Sequence, residues 1–183
     1  MCIINLRGTH GSGKSTIVQQ LMKRFPTEAT DRNERGRPNN YVLQLGPRQR
    51  LYVVGPYETA CGGCDAIQPY DLIWPRVIAF ARKGHVLFEG ALVSSSVGNI
   101  GRAMAERKDC VIGFLDTPLQ VCLDRIAARR AARGDTRPLN PHNTQVKYEG
   151  ILRSRPQLEA LGLRCVTIPH RRPVPAVLKL LGV

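Results

Sequence analysis

The chain alternates between short apolar runs of strand length and longer stretches with helical periodicity. The segment CIINLRGTHGSGKSTIVQQLMKRF reads as a strand, a glycine-rich loop and an amphipathic helix ending near Phe25–Pro26. Residues 27–40 are polar, with Asn, Gly and Pro, and are expected to form an exposed loop. Two β-rich runs in YVLQLGPRQRLYVVG, on either side of Gly46–Pro47, predict a hairpin or paired edge strands. After a loop at CGGC, DLIWPRVIAFARKG is helical, with Pro75 either kinking it or standing in its first turn. HVLFEG is a short buried strand, SVGNIGRAMAERKD a helix and CVIGFLD another strand. Thr117 as cap and Pro118 in the first turn start the long helix of TPLQVCLDRIAARRAARG. NTQVKYEGILRSRPQLEALG is a helix with Pro156 as a point of interruption, RCVTIP is the last strand, and VPAVLKLLGV is a closing helix. With no internal repeat and no linker, this alternation predicts a single α/β domain over residues 1–183 with a mainly parallel sheet.

Composition narrows the class. A chain of 183 residues with 43% apolar content has enough material for a real core. No run approaches the ~18 apolar residues of a membrane-spanning helix. The start, MCIINLRG, lacks a basic region, a long apolar stretch and a cleavage site, so it reads as a first strand. The expectation is a cytoplasmic protein with no membrane partner. The six cysteines, at 2, 61, 64, 110, 122 and 165, are scattered through apolar segments and suggest no disulfide framework. Charge is the strongest bulk signal: 27 Lys and Arg against 14 Asp and Glu give +13. The arginines gather in 32–50, 125–137 and 153–172. That pattern fits either a generically basic surface or a surface for a polyanion, where each neutralised phosphate releases counterions.

The clearest motif is Gly8-Thr-His-Gly-Ser-Gly13-Lys14-Ser15, which fits G-x-x-x-x-G-K-[ST] between a strand and a helix. Glycines let the backbone wrap an anion, and successive N–H groups at the helix N-terminus bind phosphate. The candidate nucleotide-binding residues are Gly8, Gly11, Ser12, Gly13, Lys14, Ser15 and Thr16, with Lys14 reaching the β- and γ-phosphates and Ser15 helping to hold Mg²⁺. Glu89, ending the strand VLFEG, is the candidate second metal group, or else an ordinary strand-end carboxylate; Asp116 is a weaker candidate that suits capping the next helix. Phosphate transfer also needs cations over the γ-phosphate and exclusion of water. Arg125, Arg129 and Arg133 share one helical face in RIAARRAARGDTRP. They form a closing lid over about 125–142, with Arg129 and Arg133 stabilising the moving charge, or a solvated basic helix.

The stretch GPYETACGGCDAI allows three readings. A structural zinc site wants four ligands, and Cys61–Cys64 has no second pair at suitable spacing, so no structural zinc is expected. A redox pair should open a helix within its own βαβ unit, which this pair does not. As a substrate loop, the glycines permit close approach to an acceptor and Asp65 accepts its proton or orients its hydroxyl. Tyr57 and Tyr70 flank the loop, either to stack on a base or to pack.

GTHGSGKST, the strand end LFEG, and FLDTPLQVCLDRI followed by an arginine-rich stretch together resemble the nucleoside and nucleotide kinase branch of P-loop proteins over nearly the whole chain. The resemblance implies a three-layer sandwich on a five-stranded parallel sheet of order 2-3-1-4-5, and ATP-dependent transfer to a hydroxyl or phosphate. GPYETACGGCDAI in a small basic P-loop protein is further similar to the bacteriophage 5-hydroxymethyluracil DNA kinases. That closer resemblance implies ATP and Mg²⁺ as cofactors, DNA containing 5-hydroxymethyluracil as partner, and the cytoplasm of an infected bacterium as location. It assigns phosphate binding to Gly13, Lys14 and Ser15 and the acceptor-side carboxylate to Asp65. FEGALVSSS lacks the arginine that deoxynucleoside kinases carry after the corresponding strand. A small-molecule nucleoside or nucleotide kinase and a nucleotide-dependent DNA-binding switch remain as alternatives. No N/T-K-x-D guanine motif is present. Residues 164–170 are the candidate neighbours of the adenine.

Overall fold

In a computed structural model, which describes residues 1–34, 36–58, 62–135 and 137–183, the centre is β1 (Ile3–Arg7), buried along its whole length. Ile3 packs into the apolar cluster on one side of the sheet, while Ile4 and Leu6 pack into the cluster on the other. This is the period-two alternation of a strand with both faces covered. Burying Ile4 and Leu6 contributes about 1.5–3 kcal/mol each by transfer from water, so the strand that carries the glycine loop is firmly anchored.

Parallel neighbours flank it: β5 (His85–Glu89) on one side and β6 (Cys110–Leu115) on the other. Beyond them lie β4 (Gln49–Val54), parallel to β5, and β7 (Arg164–Ile168), parallel to β6. Two further strands, β2 (Thr27–Arg32) and β3 (Pro38–Gly46), extend the sheet antiparallel beside β4. The full order is β2-β3-β4-β5-β1-β6-β7. The expected five-stranded sheet is therefore corrected to a mixed seven-stranded one, whose parallel part runs β4-β5-β1-β6-β7. The expected hairpin at 41–55 is present as β3–β4, but β4 is internal. The expected loop at 27–40 is also corrected, because it holds β2 and the start of β3. β2 is polar and largely exposed, so its own side chains carry no strand signal; the edge of β3 supplies its pairing.

Helices cover both faces. α1 (Lys14–Arg24) and α7 (Pro173–Leu181) pack on the Ile4 side. α2 (Ile73–Ala81), α3 (Ala91–Ser95), α4 (Asn99–Ala105) and α6 (His142–Ala160) pack on the Ile3 side. α5 (Leu119–Ala131) follows β6. Pro75 stands in the first turn of α2. Pro156 lies inside α6 without ending it; the carbonyl it leaves unbonded belongs to Leu152, an exposed residue. Thr117 does not cap α5. Its hydroxyl donates instead to Ser12 O at 2.8 Å, and Pro118 takes the cap position. Asp116 is not a cap either: its Oδ1 accepts from His170 N at 2.6 Å.

Candidate active site

β1 ends in the glycine loop, and the loop's shape follows from its glycines. Gly11 and Gly13 adopt φ of +76° and +101°, a region that side chains disfavour. A Cβ on Gly11 would stand 2.3 Å from the Cys122 carbonyl oxygen of α5, so the loop lies directly against that helix. No side chain caps the N-terminus of α1, whose first N–H groups face the loop. Arg125 braces the loop from α5, donating to Gly11 O at 3.2 Å and Ser12 O at 3.4 Å.

The buried Lys14 ammonium donates to Gly8 O at 2.8 Å and Thr9 O at 3.2 Å. Burial lowers its pKa, while Glu89 and Asp65 act to raise it. One residue on, Ser15 Oγ donates to Glu89 Oε1 at 2.8 Å. Glu89, at the end of β5, is only 2% exposed and also accepts from the Tyr57 hydroxyl at 3.2 Å. Its carboxyl is pushed above the usual range, first by burial, with Lys14 and the Ser15 hydrogen bond opposing.

Residues 55–58 and 62–65 fold over the end of β5, and their glycines are what allow it. Gly55 and Gly63 have φ of +104° and +91°, and a Cβ on Gly63 would meet Glu89 Oε1 at 2.6 Å. The loop then turns through a short 3-10 segment at Cys64–Ala66 that carries Asp65. Both Asp65 oxygens are held by the N-terminus of α3: Ala91 N donates to Oδ2 at 2.7 Å and Leu92 N to Oδ1 at 3.0 Å. Gly90 leaves room for that carboxylate, since a Cβ there would approach Oδ1 to 2.9 Å. α3 is tied back to β1 by Arg7, which donates to Ser94 O at 3.4 Å and to Asn5 Oδ1 at 2.7 Å. Cys64 is part of the core, with its thiol pushed far up by burial; Cys61 lies outside the described residues.

These groups meet in a cavity of about 550 Å³ across the C-terminal ends of the parallel strands. Its walls include Gly11, Ser12, Gly13, Lys14, Ser15 and Thr16, together with Asp65, Glu89, Arg125 and Arg129. Gly8 does not line it, but accepts from Lys14. Arg133 is not brought in: α5 ends at Ala131, and Arg133 is exposed beyond it. At the 125–142 connection, Asp135 instead clasps Arg130 at 3.0 Å and Arg137 at 2.8 Å. On the β7 side the cavity reaches His170, the last residue of the expected 164–170 segment, and Arg171 just past it. Tyr57 is buried against Tyr41, with its ring unavailable for stacking and its hydroxyl on Glu89. Tyr57, Thr117 and Arg171 were not singled out for these places by the sequence. The one signal available was position, since ligands in such sheets gather at the strands' carboxyl ends, where the order reverses about β1.

A strand, an anion-wrapping loop and a helix, with a buried carboxylate on the adjacent strand end, define a P-loop fold built for phosphate. No family model matches the chain. A protein of Pseudomonas phage PaMx11 named 5-hmdU DNA kinase is 37% identical over 167 residues, covering 90% of this chain and 88% of that protein. A 5-hmdU DNA kinase of Delftia phage PhiW-14 is 28% identical, covering 88% of this chain; the chain spans 65% of that longer relative. The chain belongs to the 5-hmdU DNA kinase family. Among solved structures, a gluconokinase from Sinorhizobium meliloti 1021 superposes with a TM-score of 0.51 at 15% identity, over 99% of this chain and 90% of that one. This likeness shows the fold. No helix among the described residues is long and apolar enough to cross a membrane.

Proposed function

We propose that this protein is an ATP-dependent kinase that phosphorylates the hydroxymethyl group of 5-hydroxymethyluracil in DNA. The observation that carries the reading is the convergence of Lys14 and Ser15 with Asp65 and Glu89 in one cavity, and relatives named 5-hmdU DNA kinase supply the acceptor. The loop N–H groups and Lys14 hold the β- and γ-phosphates. The acceptor hydroxyl sits at Asp65, whose two backbone contacts fix the carboxylate and leave each oxygen a lone pair. The hydroxyl oxygen bonds to the γ-phosphorus, the bond to the bridging oxygen breaks, the proton passes to Asp65, and ADP leaves. Arg125 and Arg129 counter the charge that moves; Arg133 joins them only if the 125–142 segment closes as a lid. The nucleotide base lies toward His170 and Arg171.

Ser15 and Glu89 offer hard oxygen donors, already 2.8 Å apart, which suit Mg²⁺. Among the described residues no group of three or more His, Cys, Asp or Glu is placed to hold a metal ion by itself, and an ion completed by phosphate oxygens and water needs none. When bound, the metal neutralises charge on the β- and γ-phosphates. The test is transfer of label from γ-³²P-ATP to 5-hydroxymethyluracil DNA, matched thymine DNA and free 5-hydroxymethyldeoxyuridine in parallel. Label confined to the modified DNA is expected. Label on the free nucleoside alone makes the protein a small-molecule kinase, and release of inorganic phosphate without any labelled acceptor makes it a nucleotide-dependent switch.

A further inference from the structure

β2 and β3 lie outside the parallel strands that carry the phosphate loop, and they meet the site at the root of the 55–65 loop, where Asn40 Oδ1 accepts from Gly55 N at 3.1 Å. Between them and α2 they enclose a second cavity of about 580 Å³. Val42 and Tyr52 form its floor and β2 one wall; α2 and the turn after it form the other, bringing Arg76, Phe80 and Lys83 to the cavity. Phe80 stacks on Tyr52 with ring centroids 4.9 Å apart and planes 11° from parallel. Arg50 adds a third cation, and among the described residues the side chains of Arg50, Arg76 and Lys83 make no hydrogen bond or ion pair. Of the two acids present, Asp31 is engaged by the Asn39 and Asn40 side-chain amides and Glu28 is exposed.

Register gives the groove a direction. Asn40 pairs with Val54 beside the acceptor loop, and Gln44 pairs with Arg50 at the far end of β4. From Arg76 to Lys83 the distance along the helix direction is about 10 Å. We propose that this groove holds a single DNA strand flanking the target nucleotide, with phosphates on Arg50, Arg76 and Lys83 and a base against the Phe80–Tyr52 pair. The inference rests on the DNA-kinase reading above. Cations tracking a backbone beside an aromatic platform are how single strands are bound without sequence preference, and a slot between one helix and one sheet is too narrow for a duplex. The antiparallel extension, which phosphate chemistry does not require, thereby gains a use.

The test compares wild type with an Arg50→Glu/Arg76→Glu/Lys83→Glu variant. Substrates are a single strand of about 20 nucleotides carrying one central 5-hydroxymethyluracil, and a trinucleotide carrying the same base. For the long strand, KM is expected to rise about tenfold or more, and its salt slope to flatten by about two, at roughly 0.7 per phosphate contact. Trinucleotide KM, ATP KM and kcat stay within about twofold. An unchanged long-strand KM and slope overturn the groove while leaving the kinase reading intact, and an equal loss on duplex overturns the single-strand assignment. If wild type labels no DNA, the kinase reading fails, and fluorescence anisotropy with the same strand still decides the groove. Should the triple variant not fold, photo-cross-linking of 5-iodouracil strands to wild type decides: adducts on Phe80 or Tyr52 support the groove, and adducts exclusively elsewhere overturn it.

Discussion

Asp65 and Glu89 line the same cavity but are held in opposite ways. Asp65 is exposed and fixed by two backbone N–H groups, so it is oriented and still open to an acceptor. In Asp65→Asn the new amide nitrogen must face one of those N–H groups, and no carboxylate remains to take the proton. Turnover is expected to fall by about 10²–10⁴-fold with ATP KM little changed; steady-state kinetics showing normal turnover would remove Asp65 as the base. Glu89 is buried, and burial raises its pKa above the ordinary 4.5. The folded state therefore holds this proton more tightly than the unfolded one, so the stability it contributes is full below pH 4.5 and is lost as pH rises through the raised value. Glu89→Gln should melt at a higher temperature than wild type at neutral pH, lose that advantage in acid, and lose phosphoryl transfer throughout. Melting curves on both sides of the titration check this. A variant less stable at neutral pH would mean that the contacts with Ser15, Tyr57 and Lys14 outweigh the cost of burying the charge.

Among the elements, the phosphate loop was legible because its glycines are demanded by geometry that a spacing pattern captures. Gly11→Ala puts a methyl 2.3 Å from the Cys122 carbonyl oxygen at a φ of +76°, so both ATP binding and melting temperature should fall. Gly36, with φ of +72° and nothing within 4 Å of a Cβ, is the matched control: Gly36→Ala carries the backbone strain alone and should leave ATP affinity unchanged. If both variants bind ATP equally, contact with α5 does not shape the loop. Arg133 does not share the helical face expected for it, because α5 stops at Ala131 and Gly134 turns the chain at a φ of +71°. Arg125→Ala should therefore cut kcat/KM for ATP more than Arg133→Ala does. β2 was invisible because an exposed strand of TEATDR lacks the alternation that a buried face imposes. Asp65 could be chosen from its loop, but not the N-terminus of α3 that grips it, since Ala91–Ser95 is too short to show helical periodicity.

At the scale of the whole molecule, +13 is more charge than ATP binding needs. Among the described residues Arg107, Arg130, Arg137, Arg153 and Arg155 are in ion pairs with carboxylates, which leaves most of the positive charge without an internal partner. A surface of that kind makes two acceptors behave differently in salt. A free nucleoside carries no backbone, so its KM should be nearly flat as salt rises. A DNA acceptor displaces about 0.7 to 0.9 counterions for each phosphate contacted, so its KM should climb steeply on a log–log plot. With six or more contacts, affinity for duplex DNA falls by about 10³-fold or more between roughly 50 and 200 mM salt. The two KM values measured across that range, with the ATP KM as internal control, give the number of phosphates held. A steep slope for DNA beside a flat one for the nucleoside assigns the charge to the polymer. Parallel slopes mean that the basic surface does not hold the substrate, and that DNA is gripped by the target base and its immediate neighbours alone.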